Sequence, residues 1–141
     1  MSTIEDTVVD SPGGSKDGPP NQPKQVAGGV IYAVDKDGVV LLRLGTSDEN
    51  LVTWTQARLQ SLDAALAALA ADTAVRGVIV TGPGPGMFCA GADINLIADI
   101  TAVADGEAAA RTGQAIFARC RQLRVPVVAA IEGPCLGGGL E

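Results

Sequence analysis

The apolar positions divide the chain into short runs typical of strands and longer stretches with helical periodicity. Residues 29–34 and 39–44 are rich in Val, Ile and Leu, and the segment between them ends in an Asp-Gly pair. Glycine readily adopts the positive φ that a tight hairpin turn requires. We therefore predict an antiparallel hairpin at residues 29–44.

Apolar residues with helical spacing follow this hairpin. Four leucines recur three or four residues apart and predict one apolar stripe on a helix of roughly five turns; they are Leu59, Leu62, Leu66 and Leu69. Thr53 and Gln56 have the spacing of a capping box, in which both side chains bind free N–H groups at the start of a helix. The spacing predicts a helix that starts just after Thr53.

Two continuous apolar runs, at 75–81 and 125–131, flank a second helical stretch at 106–123. Continuous apolar runs are typical of strands that are buried on both faces. The predicted order is β-β-α-β-α-β, with a helix before each of the last two strands. Such crossovers favour parallel pairing and an α/β fold.

The first 27 residues have a different composition. They are rich in Pro, Gly, Ser, Asp and Lys and show no periodicity. This composition predicts a disordered tail at 1–27 and an ordered region at 28–141.

The overall composition narrows the protein class. With 47% hydrophobic and 18% charged residues the chain is typical of globular proteins, and its net charge of −6 disfavours nucleic acid and anionic lipid as partners. No apolar run has the length of a membrane span, and the start of the chain lacks a secretory signal. The three cysteines form no Cys-x-x-Cys pair. We therefore expect a cytoplasmic protein without disulfides.

The chain contains no histidine. This absence excludes Ser-His-Asp and Cys-His catalysis and His-based metal sites from this segment, and we predict no metal site. Any chemistry must use carboxylates, backbone groups or a bound cofactor.

Two glycine-rich loops, 82–93 and 132–141, follow predicted strands, where ligand sites of α/β sheets are usually found. A P-loop starting at Gly133 would need Lys and then Ser or Thr where Gly139 and Leu140 stand. A dinucleotide-binding loop starting at Gly82 would need a glycine where Met87 stands. Neither nucleotide-binding motif fits.

These loops resemble the two signature segments of the crotonase superfamily. Residues 88–94 read Phe-Cys-Ala-Gly-Ala-Asp-Ile, and residues 126–141 contain Pro-Val-Val-Ala-Ala-Ile and end in Gly-Gly-Gly-Leu-Glu. The order of the segments and their separation are also typical of the family. The resemblance covers roughly 28–141, about the first half of a family domain. It implies an α/β fold, the crotonase-like (ClpP/crotonase) ββα spiral, truncated at its carboxyl end.

The resemblance also implies a function. It indicates an enoyl-CoA hydratase that acts on 2-enoyl-CoA thioesters in fatty-acid β-oxidation. By motif position, the N–H groups of Ala90 and Gly138 would form an oxyanion hole for the thioester oxygen. Glu141 matches the first of two glutamates that position water and transfer its proton. The substrate-binding segment would be Ala90, Gly91, Ala92 and Asp93 together with Gly138, and Asp93 would organise its loop.

Other readings of the family remain open. An enoyl-CoA isomerase, another crotonase-family enzyme, or a non-catalytic acyl-CoA-binding module or pseudo-enzyme fragment would share this framework. Residues 50–53 and 135–141 look more like the hydratase domain of multifunctional fatty-acid oxidation α subunits, in which an NAD-dependent dehydrogenase follows. NAD would be needed only by such a domain, and this segment needs no cofactor beyond its acyl-CoA substrate. The family implies trimers, hexamers or a multienzyme complex, and we expect the chain alone to be inactive because the second glutamate lies beyond Glu141.

Overall fold

The computed structural model describes residues 23–141. The tail predicted at 1–27 lies largely outside these residues, but the prediction is wrong for Lys24–Val26, which form strand β1. β1 pairs antiparallel with β2, Val30–Val34, across a turn in which Gly28 and Gly29 have φ of +110° and +87°. The composition of the tail conceals this strand, because the pairing depends on β2 and on two glycines that permit the turn.

The strands form one five-stranded mixed sheet in the order β1-β2-β3-β4-β5. β1, β2 and β3 are antiparallel neighbours, and β3, β4 and β5 run parallel. The last three strands span Val39–Leu44, Gly77–Thr81 and Val127–Ala130. The predicted hairpin and the predicted parallel pairing are confirmed.

The turn of the hairpin is built by its own residues. The Asp35 carboxylate accepts the N–H groups of Asp37 at 2.9 Å and Val39 at 2.8 Å, and Gly38 has φ of +80°. Gly38 therefore supplies the positive φ predicted for the Asp-Gly pair, and Asp35, at the start of the turn, supplies the carboxylate.

Three α-helices connect strands within residues 23–141. α1, Gln56–Ala71, lies between β3 and β4, and α2, Ile94–Ala98, and α3, Val103–Gln122, lie between β4 and β5. A short 3₁₀ turn follows at Gly137–Gly139. α3 starts three residues before its predicted position, and α2 was not predicted because five residues show no helical period. Among residues 23–141 no helix is both long and apolar enough to cross a membrane.

Helix α1 begins later than the capping box predicted. Thr55 is the N-cap, and its side chain accepts the N–H of Arg58 at 3.1 Å. Thr53 stays in an extended segment because Trp54 pairs with Ala92 of a distant loop. The predicted cap at Thr53 is wrong, since tertiary pairing keeps the chain extended for two more residues.

One face of the sheet carries the core. Side chains on this face alternate along each strand and are buried, as in Val30, Leu42 and Val78. In the predicted leucine stripe of α1, Leu59 is only partly buried and the other three leucines are buried. α1 packs against β1 and β2, and α3 packs against α1. The prediction of strands buried on both faces is wrong for β5, where Val128 is 57% exposed. β5 is an edge strand, and the helices do not cover this side chain.

A buried ion pair fixes the segment that leads into α1. Arg58 is 6% exposed and donates to both Glu49 oxygens at 2.7 and 2.6 Å and to Thr53 O at 2.6 Å. Burial raises the pKa of Glu49, but the hydrogen bonds from the Thr46 N–H and from Arg58 outweigh it, and the pKa is lowered. The stabilisation from this carboxylate is therefore present at neutral pH and is lost when acid protonates it.

Candidate functional site

The sheet brings the two glycine-rich loops together at the carboxyl ends of β4 and β5. Cys89 of the first loop pairs with Cys135 of the second in a parallel bridge. The Cys89 N–H donates to Pro134 O at 3.0 Å, and the Leu136 N–H donates to Cys89 O at 3.1 Å. Backbone groups of both loops therefore lie side by side, although the loops are far apart in sequence.

The first loop is also paired with the segment before α1. The Ala90 N–H donates to Val52 O at 2.8 Å, and the Trp54 N–H donates to Gly91 O at 2.8 Å. A regular parallel ladder would take the Trp54 N–H to the carbonyl of Ala90, one residue earlier. Gly91, with φ of +99°, thus inserts an extra residue, as in a β-bulge.

The bulge leaves the N–H of Ala92 outside the ladder. Asp93 resumes the pairing by donating its N–H to Trp54 O at 3.1 Å, whereas the Ala92 N–H has no hydrogen-bond acceptor within residues 23–141. In a trans peptide the N–H and C=O point in opposite directions. Because Gly91 O accepts from Trp54, the Ala92 N–H points away from the Trp54 backbone.

The structure contradicts the prediction that Ala90 supplies an oxyanion donor. Its N–H is already bound to Val52, and Ala90 borders a separate small cavity of about 50 Å³. The bulge at Gly91 is the physical reason, because it turns the peptide of Ala92, and not that of Ala90, away from the ladder.

Gly138 presents a second N–H without an acceptor in the described part of the chain. Gly137 O accepts the Leu140 N–H at 2.9 Å within the 3₁₀ turn. The Gly138 N–H, on the same peptide as Gly137 O, therefore points toward the start of that turn. A Cβ placed on Gly91 would lie 3.6 Å from Gly138 N, so the two loops are in contact at this point.

A cavity of about 280 Å³ opens at these two peptides. Ala92, Gly138 and Glu141 border it, and most of its remaining walls come from apolar and small residues of α2 and α3. Pockets with an apolar lining and a few convergent polar groups are typical small-molecule sites. The arrangement is suited to a ligand with an apolar chain and a carbonyl oxygen at one end.

A second cavity of about 520 Å³ lies between β4, β5 and α3. It is mostly apolar and also reaches Gly138 and Glu141, but Ala92 does not border it. We place the candidate site in the smaller cavity because only that one joins both N–H groups to the carboxylate.

Glu141 and Asp93 have different positions. Glu141 follows the 3₁₀ turn, is exposed and borders both cavities. The Asp93 carboxylate caps α2 by accepting the Asn95 N–H at 2.9 Å. This agrees with the organising role expected for Asp93.

The three cysteines are free. Burial raises the pKa of the Cys89 and Cys120 thiols, which disfavours the reactive thiolate and agrees with a packing role. Across residues 23–141 no three or more His, Cys, Asp or Glu residues come together as potential metal ligands.

The sequence interpretation missed Trp54. Its indole N–H donates to Gly138 O at 2.8 Å, across 84 positions of sequence. No local pattern in the sequence indicates such a bond, and a single tryptophan in an apolar segment is most simply interpreted as a core residue.

Comparisons with known proteins address the family and the fold. Residues 35–141 match the family model described as enoyl-CoA hydratase/isomerase. The fatty acid oxidation complex subunit alpha of Idiomarina loihiensis is 44% identical over 108 residues, which are 77% of this chain and 15% of that protein. The chain therefore spans about 15% of the length of the curated relatives it matches.

Solved structures confirm the crotonase-like α/β fold. An enoyl-CoA hydratase from Bacillus anthracis is 30% identical with a TM-score of 0.70, and the match covers 78% of this chain and 42% of that one. The human mitochondrial delta3-delta2-enoyl-CoA isomerase is 28% identical with a TM-score of 0.68, over 78% of this chain and 42% of that one.

Proposed function

Because the chain belongs to the enoyl-CoA hydratase/isomerase family, we propose that the intact protein adds water to 2-enoyl-CoA thioesters in fatty-acid β-oxidation. One observation carries the proposal. Ala92 and Gly138, whose N–H groups have no acceptor within residues 23–141, line the same apolar cavity as Glu141. An acyl-CoA thioester has both parts that such a cavity accepts, an apolar chain and a carbonyl oxygen.

The chemistry requires stabilisation of negative charge on the thioester oxygen. Water attacks the β-carbon, a C–O bond forms there, and the double-bond electrons move onto the thioester oxygen as an enolate. The Ala92 and Gly138 N–H groups would bind this oxygen, and one such donor typically contributes about 3 kcal/mol of transition-state stabilisation. A proton then adds to the α-carbon, in balance with the proton that the attacking water loses, and the thioester is restored.

Glu141 is assigned to the proton transfer from water. Its carboxylate would accept a proton as the water oxygen attacks the β-carbon. Gly91 allows the peptide of Ala92 to turn toward the cavity, and Asp93 holds the next turn in place as the cap of α2. The proposed site is thus Ala92, Gly138 and Glu141, supported by Gly91 and Asp93.

Isomerisation of 3-enoyl-CoA is the second candidate, favoured by the likeness to the human isomerase. The same N–H pair would stabilise the same kind of enolate. Glu141 would then move a proton between the α- and γ-carbons of the substrate and would not activate water. The two reactions differ in substrate and product, so they can be separated directly.

The test supplies the intact protein with crotonyl-CoA and, separately, with a 3-enoyl-CoA. Mass analysis of the products detects the addition of water, and the absorbance of the conjugated 2-enoyl thioester detects isomerisation, which leaves the mass unchanged. We expect crotonyl-CoA to gain one water and the 3-enoyl thioester to turn over more slowly. If only the 3-enoyl thioester were converted, isomerisation would replace hydration as the proposed function. If the protein bound both thioesters without turnover, it would be an acyl-CoA-binding module.

The name of the curated relatives described above supports a role in a larger assembly. We propose that the protein works in a multienzyme fatty acid oxidation complex or as a homo-oligomer, a trimer or hexamer, in the cytoplasm. Hydration transfers no electrons, so the segment needs only its acyl-CoA substrate, and NAD would serve a separate dehydrogenase domain. We also propose that the 141-residue chain alone has no turnover, since Leu140 is 75% exposed and Glu141 is not held by packing.

A further inference from the structure

Trp54 is in contact with both loops of the site. Its backbone N–H donates to Gly91 O at 2.8 Å, and its indole N–H donates to Gly138 O at 2.8 Å. These are the only hydrogen bonds that either carbonyl accepts among the contacts described for residues 23–141. One residue therefore restrains both parts of the proposed oxyanion hole.

The backbone contact sets the direction of the first donor. Gly91 O and the Ala92 N–H belong to one planar peptide. While Trp54 holds the carbonyl, this peptide cannot rotate to turn the Ala92 N–H out of the cavity. The Asp93 N–H donates to Trp54 O at 3.1 Å. Trp54 is therefore hydrogen-bonded to the peptides on both sides of Ala92.

The indole contact restrains the second donor. Gly138 has no side chain to limit its φ and ψ, and its neighbours on both sides are also glycines. The indole N–H holds the carbonyl of Gly138, and a Cβ on Gly138 would lie only 3.1 Å from Cδ1 of Trp54. The ring thus adds a side-chain restraint to a glycine segment that is otherwise held by the backbone hydrogen bonds of its 3₁₀ turn.

Packing in turn holds the ring. Trp54 is 6% exposed, and its ring centroid lies 5.0 Å from that of Phe117 with 52° between the planes. A buried indole N–H normally has a hydrogen-bond acceptor, and here Gly138 O is that acceptor. The indole is therefore fixed in position before any ligand binds.

We propose that Trp54 is a positioning residue that keeps the Ala92 and Gly138 N–H groups aimed at one point. This inference rests on the proposed function. Trp54 acts on the first donor through the Gly91–Ala92 peptide and on the second through the carbonyl that follows it on Gly138. It does not itself bind the thioester oxygen. Its loss misplaces the second donor, so it weakens binding of the enolate more than binding of the ground-state substrate.

The test is Trp54→Phe in the intact protein, which keeps an aromatic ring but removes the indole N–H. We expect kcat for crotonyl-CoA to fall about tenfold while KM changes less than about twofold. Tyr32→Phe is the matched control, because it removes one polar group from a buried aromatic residue outside the site, and it should retain the kcat of the unsubstituted protein. Thermal unfolding of all three proteins shows that each is folded.

A second measurement does not depend on turnover. The indole N–H signal of Trp54 in the NMR spectrum is assigned by its disappearance in Trp54→Phe. We expect this proton to exchange slowly with solvent and its signal to shift when butyryl-CoA binds. Fast exchange, or an unchanged kcat in a folded Trp54→Phe variant, overturns the inference. If the unsubstituted protein shows no turnover, the proposed function is refuted instead. The exchange rate of the indole N–H then tests whether Trp54 holds the Gly138 backbone.

Discussion

Replacement of Glu141 by Gln is expected to lower kcat for crotonyl-CoA hydration by about a hundredfold or more, equivalent to about 2.7 kcal/mol of activation free energy. Gln keeps the size and polarity of the side chain but cannot accept a proton from water. KM should change little, because the N–H pair and the apolar cavity are intact. The measurement is the loss of the conjugated enoyl-thioester absorbance.

Glu132→Gln provides the matched control. Glu132 is an exposed glutamate of the same loop and borders neither the 280 Å³ cavity nor the 520 Å³ cavity that Glu141 borders. It should retain full turnover, which would show that the loss in Glu141→Gln is not an effect of charge alone. Equal kcat for Glu141→Gln and the unsubstituted protein would remove Glu141 from the chemistry.

Replacement of Gly91 by Ala is expected to lower kcat by roughly a hundredfold and to destabilise the fold by about 1–3 kcal/mol. Gly91 has φ of +99°, and an added Cβ would lie 2.9 Å from Leu136 O. Relief of this contact must move the two loops apart. The Ala92 N–H would then no longer point at the same oxygen as the Gly138 N–H. Steady-state kinetics and thermal unfolding measure the two effects.

Gly86→Ala separates backbone strain from the loop contact. Gly86 lies in the same loop with φ of +75°, but a Cβ there meets no atom within 4 Å. We expect a modest loss of stability and an unchanged kcat. If both alanine variants lost activity equally, the close approach of the loops at Gly91 would not explain the role of this glycine.

The sequence predicts those parts of the fold that depend on local patterns. The hairpin, the helix α1 and the parallel pairing of the last strands follow from alternation, leucine spacing and turn residues. Strand β1 and helix α2 escape prediction because three and five residues are too few to show a period. The exposure of Val128 also has no local signal, since it depends on which side chains the helices cover.

The candidate site also has parts that the sequence predicts and parts that depend on tertiary contacts. The loops, Gly138 and Glu141 are visible in the glycine spacing and the family resemblance. The assignment of the first donor to Ala90 was wrong, because the choice between Ala90 and Ala92 depends on a bulge that forms only when Trp54 pairs with Gly91. A bond between residues 84 positions apart leaves no trace in local sequence.

The central claim is that the Ala92 and Gly138 N–H groups bind the thioester oxygen of an acyl-CoA. Infrared spectroscopy of bound butyryl-CoA, isotopically labelled at the thioester carbonyl, tests this most directly, because this saturated ligand has no double bond to hydrate. We expect the carbonyl stretch to move to lower frequency on binding and to return toward its solution value in Gly91→Ala. A bound carbonyl with the same frequency as free butyryl-CoA would contradict the account.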